Sequence, residues 1–269
     1  MENTTMIQSF RRYFALSFSV LFLIGNIVVP ALGQAEKKED LIGHWTFENG
    51  VELEDLTGHF GDIDLLDADV KDGKLRIGNN EWAMTTGYKG PDIGPDKTLV
   101  TWIYLDDLSI TRGATLAVNK SSGDTFDAIV YAERQPKRWM AGSSHFRRTQ
   151  DADPGFEEKE TGKLIQLAIS YEDDGGNTKI MIYRDGDVIG DYTMGPIVSW
   201  EAGDVEALFG PRALIGGTAY GWVVARVEDA RIYNAVLDEK EINNLTVDTL
   251  DVEARGKLAA TWGRLKFSK

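Results

Sequence analysis

Hydrophobic and polar residues alternate along most of the chain after residue 40. In LIGHWTFE (41–48), Leu41, Gly43, Trp45 and Phe47 fall on one side and Ile42, His44 and Thr46 on the other, the period of a strand with one covered face. KTLVTWIYL (97–105) is apolar on both sides, as an inner strand would be. FDAIVYAE (126–133), RWMAG (138–142), KLIQLAISYE (163–172), TKIMIYRDG (178–186), DVIGDYTM (187–194) and ALIGG (213–217) continue the series. EDDGGN, between Glu172 and Asn177, and RDGD (184–187) carry the Asp and Gly of tight turns, so the strands they join pair antiparallel.

The period changes in VEDARIYNAVLDEKEINNL (227–245), where a strand runs without a linker into a short helix over 238–245. Asp238 and Glu241 are spaced as a capping box, and Leu237 and Ile242 as a hydrophobic staple. Ile242 and Leu245 share the face that would dock. About a dozen strands, hairpin connections and no visible repeat predict an all-β fold: a two-sheet antiparallel jelly-roll sandwich with one short C-terminal helix. A closed barrel is the alternative.

The first 35 residues stand apart. Arg11 and Arg12 precede the apolar YFALSFSVLFLIGNIVV (13–29), and PALGQA (30–35) ends in small residues, the pattern of a signal peptide cleaved after Gly33 or Ala35. An uncleaved anchor is the alternative, against which Gly25, Asn26 and Pro30 argue. The expected division is a signal peptide at 1–35, one domain at 36–250 and a tail at 251–269 whose Trp262 and Leu265 would cover a sheet edge. That division predicts a secreted protein, extracellular or periplasmic, with no membrane span once the signal is removed.

Composition narrows the chemistry. The chain has no Cys, which removes disulfides, thiolate metal sites and cysteine nucleophiles, so stability rests on the core. Its 29 basic and 43 acidic residues become 27 and 42 without Glu2, Arg11 and Arg12, a net charge near −15. Nucleic acid and anionic membranes are thereby disfavoured as partners.

Four stretches in order, LIGHWTFENG with LEDLTG (53–58), KTLVTWIYLDD, KLIQLAISYEDDGGNTKIMIYRDGDVI and VEDARIYNAVLDEKEINNL, resemble the laminin-G-like jelly rolls of the concanavalin A-like lectin/glucanase superfamily. The resemblance spans roughly residues 41–245. It implies glycan recognition and a structural Ca2+ near the turn after the first strand and the closing strand. Asp55 and Asp229 are the ligands it suggests, with Glu48 as a third; an Asx turn built by the Asp55 side chain is the other reading.

Candidate chemistry is sparse elsewhere. Asp62 and Asp64 lie two apart in GDIDLLD (61–67), as paired carboxylates on one strand face would, but the glutamates of a glucanase-type motif are missing and a solvated acidic edge accounts for them. Asp64, Asp67, Asp69 and Asp72 depart from EF-hand spacing. His44, His59 and His145 show neither triad order nor helical metal spacing, which suggests surface or half-buried histidines. Trp45 and Trp102 sit in regular strands as core, while Trp82 and Trp222 stay open.

ERQPKRWMAGSSHFRRTQ (133–150) concentrates basic and aromatic side chains, and Trp139, Phe146, Arg147 and Arg148 are its candidate ligand-binding residues. A core Trp139 with arginines paired to carboxylates is the alternative. The expectation is a secreted, non-enzymatic module that binds glycans or a glycosylated surface, with no catalytic residue assigned. A glycan-active hydrolase with an unrecognised carboxylate pair and a structural, protein-binding module remain the alternatives.

Overall fold

The structure, a computed structural model, describes residues 38–247, so the signal segment and the C-terminal tail lie outside the described residues. A 3-10 turn, Lys38–Asp40, leads into β1 (Leu41–Trp45). The chain continues through β2 (Ile63–Leu66), β3 (Asp69–Lys71), β4 (Lys74–Ile77), β5 (Trp82–Thr85), β6 (Lys97–Leu105), β7 (Ala114–Asn119), β8 (Phe126–Tyr131) and β9 (Trp139–Ser143). Then come β10 (Leu164–Asp174), β11 (Asn177–Arg184), β12 (Asp187–Pro196), β13 (Glu206–Gly210), β14 (Ala213–Ile215), β15 (Thr218–Tyr220), β16 (Ala225–Tyr233) and the helix α1 (Glu239–Asn244).

Two antiparallel sheets form a sandwich, as the alternation predicts. The first runs β12-β11-β10-β6-β16-β4-β3, with β1 also on β16; the second runs β2-β5-β13-β7-β8-β9, and β14-β15 is a separate hairpin. Leu99, Ile103, Leu167 and Ile169 of the first sheet meet Leu116, Val118, Ile129 and Tyr131 of the second in one buried cluster between them. β6 is apolar on both sides because its other face is covered too: Val100 and Trp102 pack with Leu237 and Ile242 beside α1. Trp45 is fully enclosed, edge-on to Phe209 with ring centres 5.5 Å apart.

The closing stretch completes the first sheet. β16 pairs with β6 along its length, and on its other side with β4 through Ala225–Val227 and with β1 through Ala230–Tyr233. A register shift between Val227 and Asp229 marks the change of partner. The capping box forms in both directions: the Glu241 backbone N–H donates to Asp238 Oδ1 at 2.7 Å, and the Asp238 N–H donates to Glu241 Oε2 at 2.8 Å. α1 rests on the Asp-Gly turn between β11 and β12. Gly186 there has φ +83° and carries no Cβ, which would collide with Asn243.

β3, β4, β5, β7, β13 and the three-residue β15 are absent from the strand series expected above, and β2 entered it only as an acidic stretch. β3, β4 and β5 have only three or four residues each, too few for alternation to register. ATLAVN of β7 and EALFG of β13 are buried on both faces, so they show no alternation at all. Among the described residues no helix is long and apolar enough to cross a membrane. Replacing Asp238 with Ala should lower stability by about 1 kcal/mol, read as a shift in urea midpoint with unchanged slope, because the Glu241 N–H loses its side-chain acceptor while the bond from the backbone N–H of residue 238 to Glu241 remains.

Candidate functional site

On the outer face of the second sheet, small residues make a low floor. Ala114, Ala117 and Ala128 lie there among Phe126, Val130, Met140 and Leu208. Gly142 belongs to the same face, where an added Cβ would press into Val130. The β14-β15 hairpin stands on this floor through Ala213 and is pinned by Asn119, whose Nδ2 donates to Glu206 Oε1 at 2.7 Å while its Oδ1 accepts from the Leu214 N–H at 3.3 Å.

The opposite wall is the turn after β9. Ser144 Oγ donates to the Asp124 carbonyl at 2.5 Å and accepts from the Phe126 N–H at 3.2 Å. His145 and Phe146 then take left-handed backbone conformations, φ 52° and 55°, a cost of roughly 1–3 kcal/mol each that the surrounding contacts must sustain. Arg148 sustains it from below. Its Nε and Nη2 donate to Asp127 Oδ1 at 2.9 and 2.8 Å, and Nη2 also reaches the Phe126 carbonyl at 3.1 Å. Gly195, φ +68°, approaches the Arg147 carbonyl more closely than any side-chain-bearing residue could.

Asp127 holds a second cation from the other sheet. Lys97 Nζ lies 3.1 Å from Asp127 Oδ2, between the rings of Tyr171 and Trp200 at 4.7 and 4.6 Å from their centres. Burial pushes the Lys97 ammonium below its ordinary pKa, while Asp127 pulls it back up.

Between hairpin and turn lies a cavity of about 320 Å³ lined by Asp124, Phe126, Glu133, Ser143, Ser144, His145, Phe146, Arg212, Ala213, Ile215 and Tyr220. Phe146, Ile215 and Tyr220 present exposed apolar surface at its rim. Two carboxylates line it in different surroundings. Asp124 Oδ2 pairs with His145 Nε2 at 3.1 Å in the open. Glu133 is 9% exposed at its side chain and pairs with Arg212 at 3.0 Å; burial raises its pKa above the ordinary glutamate value, against the pull of Arg212 and Arg112. The arrangement offers a carboxyl group that keeps its proton to higher pH and a second, exposed carboxylate lining the same cavity, with ring faces at the rim.

Of the four ligand-binding residues expected from sequence, Phe146 lines the cavity, with the Arg134 guanidinium 5.7 Å from its ring centre, and Arg147 is exposed next to it. Trp139 and Arg148 require correction. Trp139 is 1% exposed, packs on Tyr131 and donates its Nε1–H to Glu158 at 2.8 Å; Arg148 is 2% exposed and consumed by Asp127. Neither reaches a ligand.

Asp124, Glu133, Arg212 and Tyr220 were not singled out from sequence, since they lie far apart in the chain without a motif. Glu133 opens the 133–150 stretch, but its burial was invisible there. Asp62 and Asp64 sit exposed on and beside the edge strand β2. His44 is more buried than expected, at 5% exposure, and Trp82 and Trp222 are half-buried.

The residues suggested for Ca2+ do not fit a hard cation. Asp55 accepts five donors: His44 N–H and Thr57 N–H on Oδ1, and Thr57 Oγ–H, His59 N–H and Phe60 N–H on Oδ2. That is an Asx-type turn with its lone pairs spent. Asp229 is fully buried and paired with Arg231 at 2.9 Å and His44 at 3.3 Å, which hold its carboxyl below the ordinary aspartate value against burial. Glu48 lies half-buried against Gly73, and among the described residues no group of three or more His, Asp or Glu is placed to hold a metal.

No protein-family model matches the sequence, and no curated protein matches it. Solved structures do share the fold. The sialidase of Trypanosoma rangeli in complex with 2,3-difluorosialic acid is 18% identical at TM-score 0.56, over 81% of this chain and 35% of that one. Domain 4 of AbnA, a GH43 extracellular arabinanase from Geobacillus stearothermophilus in complex with arabinotriose, is 19% identical at TM-score 0.50, over 76% of this chain and 97% of that one. The chain thus spans about a third of the sialidase and nearly all of the arabinanase domain. At these identities the likeness is one of fold. It corrects the expectation of a non-enzymatic module, because the proteins sharing the fold include glycoside hydrolases, and the alternative of a glycan-active chain is carried forward.

Replacing Asp127 with Asn should cost about 3–5 kcal/mol in chemical denaturation, because Arg148 and Lys97 lose the carboxylate that compensates them in the interior. A chelator should leave the melting temperature where it was, since the Asp55 oxygens are already filled by donors from the chain itself.

Proposed function

We propose that the chain is a glycan-active hydrolase built on a laminin-G-like, concanavalin A-like sandwich, with its substrate in the cavity between the β14-β15 hairpin and the 144–149 turn. The observation that carries this reading is the Glu133 carboxyl, buried against Arg212 with a raised pKa in a cavity that also holds Asp124. Glycosidic bonds are cut by two carboxyl groups, one that gives a proton to the leaving oxygen and one that acts on the opposite side. The solved structures sharing the fold, a sialidase and an arabinanase domain with arabinotriose bound, support glycans as the substrate class.

In this mechanism Phe146 and Tyr220 hold sugar rings by their faces. Glu133 gives its proton to the departing glycosidic oxygen as the carbon–oxygen bond breaks. A water molecule supplies the hydroxyl that joins the anomeric carbon, and its proton passes to Asp124, whose other contact, His145, steadies the charge. Solvent returns a proton to Glu133 and removes one from Asp124, closing the cycle. Arg212 is a positioning residue: it fixes the rotamer of Glu133 without touching the bond that breaks.

The test is release of reducing sugar from arabinan, arabinotriose and a sialoside by the full chain. Glu133→Gln should lower turnover by about 10²–10⁴-fold while leaving substrate affinity within a few-fold. Turnover in the wild type should fall as pH rises through the raised Glu133 pKa, because the proton donor is lost there. Binding of these glycans without any turnover, or a Glu133→Gln variant with unchanged rate, would overturn the reading.

A further inference from the structure

A larger cavity, about 560 Å³, lies where the end of β6, the start of β10 and the β11-β12 turn meet the 155–163 connection, and it shares no lining residue with the first. Its most exposed apolar groups are Phe156 and Leu164, 40% and 41% exposed, standing over Leu105 and Ile165. A large exposed ring at the mouth of a cavity is a candidate contact surface rather than core.

The ring is held rigidly. The Arg184 guanidinium stacks on Phe156 with 4.1 Å to the ring centre, and is itself fixed by Glu158, to whose two oxygens it donates at 2.7 and 3.1 Å. Glu158 also accepts from Trp139 Nε1 at 2.8 Å. The connection carrying the ring is pinned along the backbone: Gly155 N–H to Ile189 O at 2.8 Å, Glu158 N–H to Lys137 O at 2.9 Å and Gly162 N–H to Leu105 O at 2.8 Å. A platform ordered before binding loses little freedom when a ligand arrives.

Charge decides what such a platform takes. Four carboxylates, Glu157, Glu158, Glu160 and Asp185, stand against three cations, Lys159, Lys163 and Arg184, and Lys163 is committed to Glu160 at 2.8 Å as Arg184 is to Glu158. An anionic ligand therefore meets an unfavourable lining on a strongly acidic molecule. A neutral, hydroxyl-rich ligand meets a flat ring for its C–H faces and carboxylate oxygens for its hydroxyls.

We infer that the cavity at Phe156, Leu164 and the Arg184–Asp185 turn is a second glycan site, taking an uncharged stretch of the polysaccharide that is cut in the Glu133 cavity. This rests on the glycan-active reading and adds to it a substrate long enough to occupy more than one site. Occupying both sites makes the second contact intramolecular, so long chains gain affinity that short ones do not.

The experiment compares soluble arabinan with arabinotriose on the full chain. Phe156→Ala should weaken arabinan binding by about tenfold or more, with arabinotriose turnover unchanged, and Phe156→Trp should restore the affinity. If Phe156→Ala disturbs folding, Phe156→Leu keeps the apolar volume without the ring face and should show the same loss. Arabinan affinity unchanged in Phe156→Ala and Phe156→Leu, with the wild type active, overturns the second site alone. A wild type that neither binds nor cleaves glycan overturns the Glu133 reading and this one with it.

Discussion

The candidate site depends on one buried carboxylate. Asp127 points from β8 into the sandwich, where it meets Lys97 from the facing sheet and Arg148 from the turn after β9. Removing these charges from water costs several kcal/mol, and an apolar trio of the same volume would hold the sheets together as well. The ionic arrangement differs from an apolar trio in direction. Arg148 reaches Asp127 by one path, and that path sets the turn above it, with Ser143 Oγ accepting from the Arg148 N–H at 2.9 Å and the Arg148 carbonyl accepting from Tyr192 at 3.3 Å. His145 and Phe146 are presented to the cavity because the residue two or three places on is anchored below it.

The first cavity is a product of size as much as of charge. Alanines on β7 and β8 and Gly142 on β9 leave a depth on the outer face that branched residues would fill, and the β14-β15 hairpin raises a wall beside it. Burial there acts on two carboxylates, Glu133 and Glu206, raising both, because each is covered by the hairpin or its base. Glu206 is spent on Asn119 as a hairpin anchor. Glu133 lines the cavity and is held by Arg212, so the two raised carboxylates differ in what they face.

Regular alternation made the long strands, the Asp-Gly turns and the capped helix legible before any coordinates, because those features are set by neighbours one to four residues apart. β7 and β13 were not legible, since strands covered on both faces carry no alternation. The site was read in part. Phe146 stood out as an aromatic among arginines, but the same local reading pointed to Trp139 and Arg148, whose direction depends on Glu158 and Asp127 elsewhere in the chain. The resemblance implied a metal ligand at Asp55, with an Asx turn as the other reading; five donors aimed at the carboxylate distinguish the two, and four of them come from its own turn.

The pairing of β16 with both β1 and β4 also constrains the order in which the protein is made. His44 and Asp229, in contact across that pairing, are 185 residues apart. At ribosomal speeds of about 5–20 residues per second, β1 waits roughly 10–40 seconds for its partner. The β10-β11-β12 hairpins close from local contacts in that interval, whereas β1 and the inner edge of β4 have no strand to bond to until residues 225–233 emerge. The first sheet is therefore completed late and from its middle, so during synthesis the N-terminal strand is the part of the described chain most in need of protection from wrong partners.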